Sequence, residues 1–554
     1  MLFRSLLAAL LLLALSLSAP LLAQNPYNSG DILIRNVTLI DPTGKTEDRQ
    51  VNILIKRNEL EVVSEDKIAS DEAEQVIDAG GGVVIGKLVI GQAPNFMILS
   101  KDPREDFRVM LDTKAYSTFA IHDGYVVKNR LLWVLDDEQN DEPAPANWLA
   151  YTPPPMAVPL NYVDSDKWNR WETKYFSGIF IAGLVLDRMT WIDQNDISYT
   201  QVGDLDNFSG GEIRGLRIGG VGTFNIFEKP WVWTLFGATH AFDKGFDSEE
   251  SDSFTLFDWR LDIPFFKNSA MSIGKQKEPI SGERVQSMAY NHMQERSAPA
   301  DAMLPSRNVG VVWNGISPRT NASWAFGAFN DWFDTGKDFD ESATQYISRL
   351  TWAPGTRDES NLLHLGVGYR YSDAKEGFRA FTEPEFNKAP VFVDTGFGTE
   401  TGILPAEKTE TWNAELAWRR GPIWLASEYT RAIVDNPALG NPEFDGYFVA
   451  GSWALTGEMR PYRVKSGTFG TLPVARNVYQ GGKGAWELTA RWSHTDLEDG
   501  LVTGGEMDIA SLGLNWWLTP FFGINVNYRY IWNELDGMEG TSSGINTRIL
   551  LLLE

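Results

Sequence analysis

Hydrolytic, metal-assisted and thiol chemistry each need side chains that converge, and this sequence of 554 residues offers few candidates. It has no cysteine, which excludes disulfide scaffolds, thiolate zinc sites and cysteine nucleophiles. Histidines stand at 122, 240, 292, 364 and 494, and no two have the short spacing of a metal pair. His122 precedes Asp123-Gly124 and reads as a turn residue. No catalytic residue, metal site or cofactor is expected, and the chain reads as a non-enzyme. The charged residues that recur at fixed spacing are of another kind. Glu487 and Arg491 alternate with Trp486, Leu488, Ala490 and Trp492, and Arg529 sits between Tyr528 and Tyr530. That period of two puts charge on one face of a strand and apolar or aromatic groups on the other.

Such faces need strands, and the chain supplies them in two styles. Residues 30–133 hold short strands such as Asp31–Ile40 and Val51–Ile55, punctuated by turns such as Asp41-Pro42-Thr43-Gly44. Residues 134–172 open on Asp136-Asp137-Glu138 and include Pro143, Pro145 and Pro153-Pro154-Pro155, the composition of an extended linker. From 173 to 554 the strands lengthen and alternate. Trp412, Ala414, Leu416 and Trp418 form one apolar row, and Leu365, Val367, Tyr369 and Tyr371 another. A sandwich also alternates, but here aromatic groups sit at the ends of the apolar rows, as an interfacial girdle requires, and polar loops such as 331–344 and 372–410 separate strands of roughly 10 residues.

The N-terminus sets the compartment. Arg4 is followed by an apolar run from Leu6 to Leu22, with Pro20 and a small residue at Ala23, so 1–23 reads as a secretory signal peptide. No later stretch approaches the ~18 apolar residues of a membrane helix, so any second encounter with a membrane is as a β-barrel. The net charge of −25 becomes −26 on removal of Arg4, which argues against nucleic acid as a partner.

The region 173–554 resembles the phosphate-selective porin O/P family along nearly its whole length. The resemblance is carried, in order, by Gly274-Lys275-Gln276-Lys277-Glu278-Pro279-Ile280-Ser281, Gln294-Glu295-Arg296-Ser297, Pro305-Ser306-Arg307-Asn308-Val309-Gly310, Gly484-Ala485-Trp486-Glu487-Leu488 and Leu512-Gly513-Leu514-Asn515-Trp516-Trp517. It implies a 16-stranded antiparallel transmembrane β-barrel, trimeric in the outer membrane, with an inward-folded loop constricting each pore. The module 30–133 resembles the small β-sandwich domain that flanks the catalytic barrel of amidohydrolases. Asp31–Asp41, Val76-Ile77-Asp78-Ala79-Gly80-Gly81 and Gly91–Pro103 carry that likeness, and only Gly82–Ile90 stands where the catalytic barrel belongs. The overall expectation is an all-β chain with that sandwich module in the periplasm.

The porin resemblance also implies where selectivity resides. Lys275, Lys277 and Arg284 fall in the segment matching the constriction loop, Arg214 on a neighbouring strand, and Asp258 is retained opposite them. Lys275 and Lys277 either line the constriction or anchor the loop through Glu278 and Glu283. Arg217 is read as out of phase with Arg214 and facing lipid or an interface. Three cationic positions of the family are lost: Gly215 follows Arg214 where a second arginine is implied, neither Gly183 nor Leu184 replaces the arginine of the first strand, and Ser272 stands for a lysine. A multivalent oxyanion exchanges its hydration for several converging donors, so these losses argue against phosphate or anion specificity. The reading is a passive diffusion channel for small ions or solutes. Outer-membrane lipid, copies of itself and a periplasmic or cell-wall partner of the N-terminal module are its expected contacts. The alternatives are a secreted amidohydrolase-related enzyme, disfavoured by the missing ligands, and a cell-envelope tethering or binding protein. The terminal run Ile549–Leu553 interrupts the alternation in this reading.

Overall fold

The computed structural model describes residues 31–40, 47–105, 108–111, 116–131, 169–239, 254–330 and 343–553, apart from 74, 130, 227–228, 267, 318, 355–359, 376, 398, 400–401 and 479–481. The expected signal peptide and the linker up to 168 lie outside the described residues. Among the described residues, no helix is long and apolar enough to cross a membrane. The chain divides into two compact units: the N-terminal residues with Ala454–Met459 and Leu472–Glu487, and Ser165–Trp453 with Arg460–Thr471 and Leu488–Glu554.

The first unit is built on β1 (Ile32–Leu39), β2 (Arg49–Lys56), β3 (Glu59–Ser64), β4 (Gln75–Asp78), β5 (Val83–Lys87), β6 (Asn95–Leu99), β7 (Ser117–His122) and β8 (Tyr125–Asn129). They form one sheet in the order β3-β2-β1-β5-β6-β7-β8, with β4 on β1. The apolar rows that the β-branched sequence provides meet in one core of Ile32, Ile34, Ile53, Ile77, Phe96 and Phe119. His122 pairs with Tyr125 across the two-residue turn Asp123-Gly124, whose φ values of 52° and 80° suit the twist of a tight hairpin.

The second unit begins with β9 (Arg170–Glu172), β10 (Phe176–Gln194), β11 (Gly210–Phe224), β12 (Trp231–Thr239), β13 (Phe254–Pro264), β14 (Ser269–Lys277), β15 (Arg307–Ser317), β16 (Ala322–Asn330), β17 (Thr344–Trp352) and β18 (Asn361–Ser372). It continues with the short β19 (Phe381–Thr382) and β20 (Val393–Asp394), then β21 (Lys408–Arg420), β22 (Ile423–Asp435) and β23 (Glu443–Ala454). After the short β24 (Tyr462–Arg463) and β25 (Thr468–Phe469) come β26 (Ala485–Asp499), β27 (Val502–Thr519), β28 (Phe522–Leu535) and β29 (Met538–Leu553). Sixteen strands, β10–β18, β21–β23 and β26–β29, close into an antiparallel barrel. The seam is β10 on β29 from Ala182↔Leu553 to Gln194↔Ser542, and β9 continues that edge along Ser177–Ile179. Closure leaves no strand edge open, the condition for placing a sheet in lipid.

Alternation sorts the side chains as read from sequence. Leu488, Leu512, Leu416 and Val367 are exposed on the outward rows, while Arg491, Ser493 and Arg529 are buried on the inward ones. The final run keeps the same phase: Leu550 and Leu552 are buried inward and Leu551 is exposed, so alternation persists there although the sequence is uniformly apolar. Apolar inward positions at Met189, Trp191, Ile509 and Ile531 gather around Phe386 and Phe392, which the connection between β18 and β21 brings into the barrel.

Candidate pore constriction

The connection from Glu278 to Ser306, between β14 and β15, folds inward and is buried over most of its length. Ser281 caps its short helix Gly282–Val285, accepting from the Arg284 N–H at 3.0 Å, and a second helix, Ala298–Met303, starts with a proline in its first turn. The wall of β18 is cleared to receive it. A Cβ at Gly368 would stand 1.9 Å from the Ile280 carbonyl oxygen, while Gly366 leaves room for Glu415 of the neighbouring β21, whose carboxyl carbon would stand 2.7 Å from a Cβ there.

Charge-assisted ties fix the loop to the wall. Glu295 accepts from Arg214 Nε and Nη2 at 3.0 and 2.9 Å and from Arg548, which also grips Asp187 at 2.7 and 2.6 Å. Burial acts to raise the Glu295 carboxyl, but Arg214 and Arg548 overrule it and hold it well below the usual carboxylate range. Gln294 Nε2 donates to the carbonyls of Asn525 and Asn546 at 3.0 and 2.9 Å, and its backbone N–H donates to Asn527 Oδ1 at 3.0 Å. Glu283 meets Arg491 at 3.2 Å, and Arg370 binds Glu278 at 2.8 Å. Arg491 also pairs with Glu385 from the β18–β21 connection, which accepts from Ser493 and from the Ala298 N–H as well. His292 packs on Trp424 with ring centroids 4.9 Å apart, and burial with nearby Arg491 and Arg460 pushes its pKa well down, so it stays neutral.

The residues expected to set selectivity are distributed unevenly. Arg214 is fully buried and spent on Glu295. Arg284 is equally buried inside the loop, donating to Asp301 at 3.0 Å and to the Pro305 carbonyl at 2.8 Å. Lys277 donates to the carbonyls of Arg284 and Gln286 at 2.9 and 2.7 Å, anchoring the loop through backbone oxygens and not through Glu278 or Glu283. Lys275 pairs with Trp259 and Val309, on the strand face that carries exposed Ile273 and not on the face of buried Ser272 and Gln276. Asp258 accepts from Arg307 at 2.7 Å and from Arg217 at 3.0 Å.

Arg217 is thus a correction. Between β10 and β11 the register slips so that Val185 opposes Gly215 and Leu186 opposes Ile213, leaving Arg214 as the extra residue of a bulge. One inserted residue shifts the phase of everything beyond it, so Arg214 and Arg217, three apart, face the same side. Arg217 lies over the Phe236 ring at 3.9 Å and shares Asp258 with Arg307. The bulge has no signature beyond Gly215. Arg548, Glu295 and Glu385 were not singled out from sequence as partners, although Arg548 and Arg491 stand in the inward phase, and Glu283, read as a partner of the lysines, meets Arg491.

A family model described as phosphate-selective porin O and P matches residues 186–549. Porin O of Pseudomonas aeruginosa is 25% identical over 334 residues, covering 54% of this chain and 72% of that protein. An uncharacterised protein of Caulobacter vibrioides is 28% identical over 252 residues, 42% of this chain and 48% of the relative. Among solved structures, the outer-membrane channel DcaP of Acinetobacter baumannii is similar with a TM-score of 0.42 at 10% identity, over 69% of this chain and 99% of that one. An anion-selective porin from Comamonas acidovorans gives a TM-score of 0.41 at 11% identity, over 68% and 99%.

Proposed function

The chain belongs to the phosphate-selective porin O and P family, and from that membership, as an outer-membrane porin that passes solutes by diffusion, we propose that it is a channel of weak selectivity rather than a phosphate binder. One observation carries this reading: the inward arginines named above are matched to carboxylates. Arg214 and Arg548 face Glu295 and Asp187, Arg491 faces Glu283 and Glu385, and Arg217 and Arg307 face Asp258. An anion entering such a lumen competes with carboxylates already in place, and displacing one of them forfeits a buried charge-assisted contact. Salt bridges of this kind position the loop; they leave the anion few donors to converge on.

In the same proposal Asp258, with Arg217 and Arg307, tunes the residual ion preference, and Lys277 and Arg284 act by holding the loop. The porin assembles as a homotrimer in the outer membrane, and residues 30–133 form a periplasmic scaffold of the amidohydrolase small-domain type. Proteoliposome swelling tests the reading. Small neutral sugars should enter with rates that fall with size, and phosphate should have no advantage over chloride. Saturable uptake of phosphate with exclusion of sugars would overturn it.

A further inference from the structure

At the barrel end where β26 starts, strands are joined by short turns, residues 265–268, 318–321, 421–422 and 520–521, yet β23 and β26 are joined there by residues 455–484. This connection is divided between the two compact units, with 454–459 and 472–487 in the first and 460–471 in the second.

Within the first unit its apolar residues complete the core of the N-terminal sheet. Leu472, Val474 and Ala475 are buried, and Ala475 joins the cluster of Ile32, Ile77 and Phe119. Met459 is fully buried against Ala120 and Val127. Two buried amides, Gln75 on β4 and Asn129 at the end of β8, both donate to the Ala475 carbonyl, the latter at 2.9 Å. A buried amide left without a partner is destabilising, so two converging on one carbonyl make a specific recognition point for an extended segment. Within the second unit, Arg349 donates to the carbonyls of Ser466 and Gly467 at 2.6 and 3.0 Å, Arg419 to that of Arg460 at 2.6 Å, and His364 meets the Tyr462 hydroxyl at 2.8 Å.

We infer that the N-terminal sheet is a holder for this chain's own segment Leu472–Ala475, and that by gripping it the sheet limits the motion of residues 460–471 among the inward-facing side chains of the barrel. The partner of the module is then a segment of the same chain. The inference rests on the porin reading for its readout.

The absence of cysteine makes the test direct. A chain with Gln75→Cys and Ala475→Cys is folded in the oxidising periplasm and scored for a disulfide crosslink, which needs no reagent to enter the buried site. Gln50→Cys with Ala475→Cys serves as control, since Gln50 pairs with Thr38 at the other end of the β1–β2 ladder from Ile32↔Ile55. The first pair should crosslink and the second should not. In planar bilayers, Gln75→Ala with Asn129→Ala should flicker between conductance levels several-fold more often than the parent, and the crosslinked chain less often. Absence of the first crosslink overturns the inference, as does identical flicker in all three. Open channels with identical flicker in all three would show that the porin reading stands while this one falls, and absence of channels in the parent would overturn the porin reading itself.

Discussion

Arg214 of β11 and Glu295 of the inward-folded loop, 81 residues apart in sequence, meet through two hydrogen bonds of 3.0 and 2.9 Å. The pair ties the constriction to the wall at a point where a bulge turns the arginine inward. Removing one partner of a buried ion pair costs about 3–5 kcal/mol because the other charge is stranded. Glu295→Ala strands Arg214 and leaves Arg548 with Asp187, so the loop should loosen while the barrel, closed by backbone bonds, persists. Single-channel recording should show larger and noisier openings, with the heat-dependent mobility of the folded barrel unchanged.

Ion preference should respond to Asp258. Asp258→Asn leaves Arg217 and Arg307 without this carboxylate and should move the reversal potential toward anions. Arg217→Glu should move it toward cations, since Arg217 faces inward. Both shifts should shrink in 1 M salt, where charges are screened beyond about 3 Å. A silent Arg217→Glu would place that residue back on the outward face.

Glycine spacing on β18 should matter through contact alone. The Cβ of Gly368→Ala meets the Ile280 oxygen at 1.9 Å, whereas at Gly211 the nearest atom, the Asp187 oxygen, is 3.6 Å away. Gly368→Ala should displace the loop and raise conductance roughly as Glu295→Ala does. Gly211→Ala should record as the parent.

Acidity should stabilise the first unit through Glu458. Burial pushes this carboxyl from 4.5 up to about 7, against hydrogen bonds from Thr456 and the Ala475 N–H. The folded state therefore holds the proton more tightly than the unfolded one. The stabilisation is complete below about pH 4.5 and is lost as pH rises through 7, a swing on the order of 3 kcal/mol. Thermal unfolding of the full chain at pH 5.5 and 8 should show the difference, and Glu458→Gln should flatten it.

The barrel was legible because period-two alternation is a local signal: Trp486 to Ser493 declares both faces without reference to any other strand. The constriction was legible only in outline. Its ties join Arg548 to Glu295 across 253 residues and Arg491 to Glu385 across 106, and nothing in either neighbourhood marks the partner. The Arg217 phase failed for a physical reason, because a single bulge residue reverses alternation without altering composition. Lys277, read either as lining the constriction or as paired with Glu278 and Glu283, ends β14, and the carbonyls of Arg284 and Gln286 are what its ammonium meets.

The central claim is that solutes pass by diffusion and that Arg214, Arg548, Arg491, Arg217 and Arg307 are already engaged by carboxylates. Reversal potential and single-channel current in a KCl gradient, with phosphate titrated into the bath, test it most directly. The account predicts ohmic channels, a reversal potential near zero and current insensitive to phosphate. A strongly anion-selective channel that phosphate blocks in a saturable manner would contradict it.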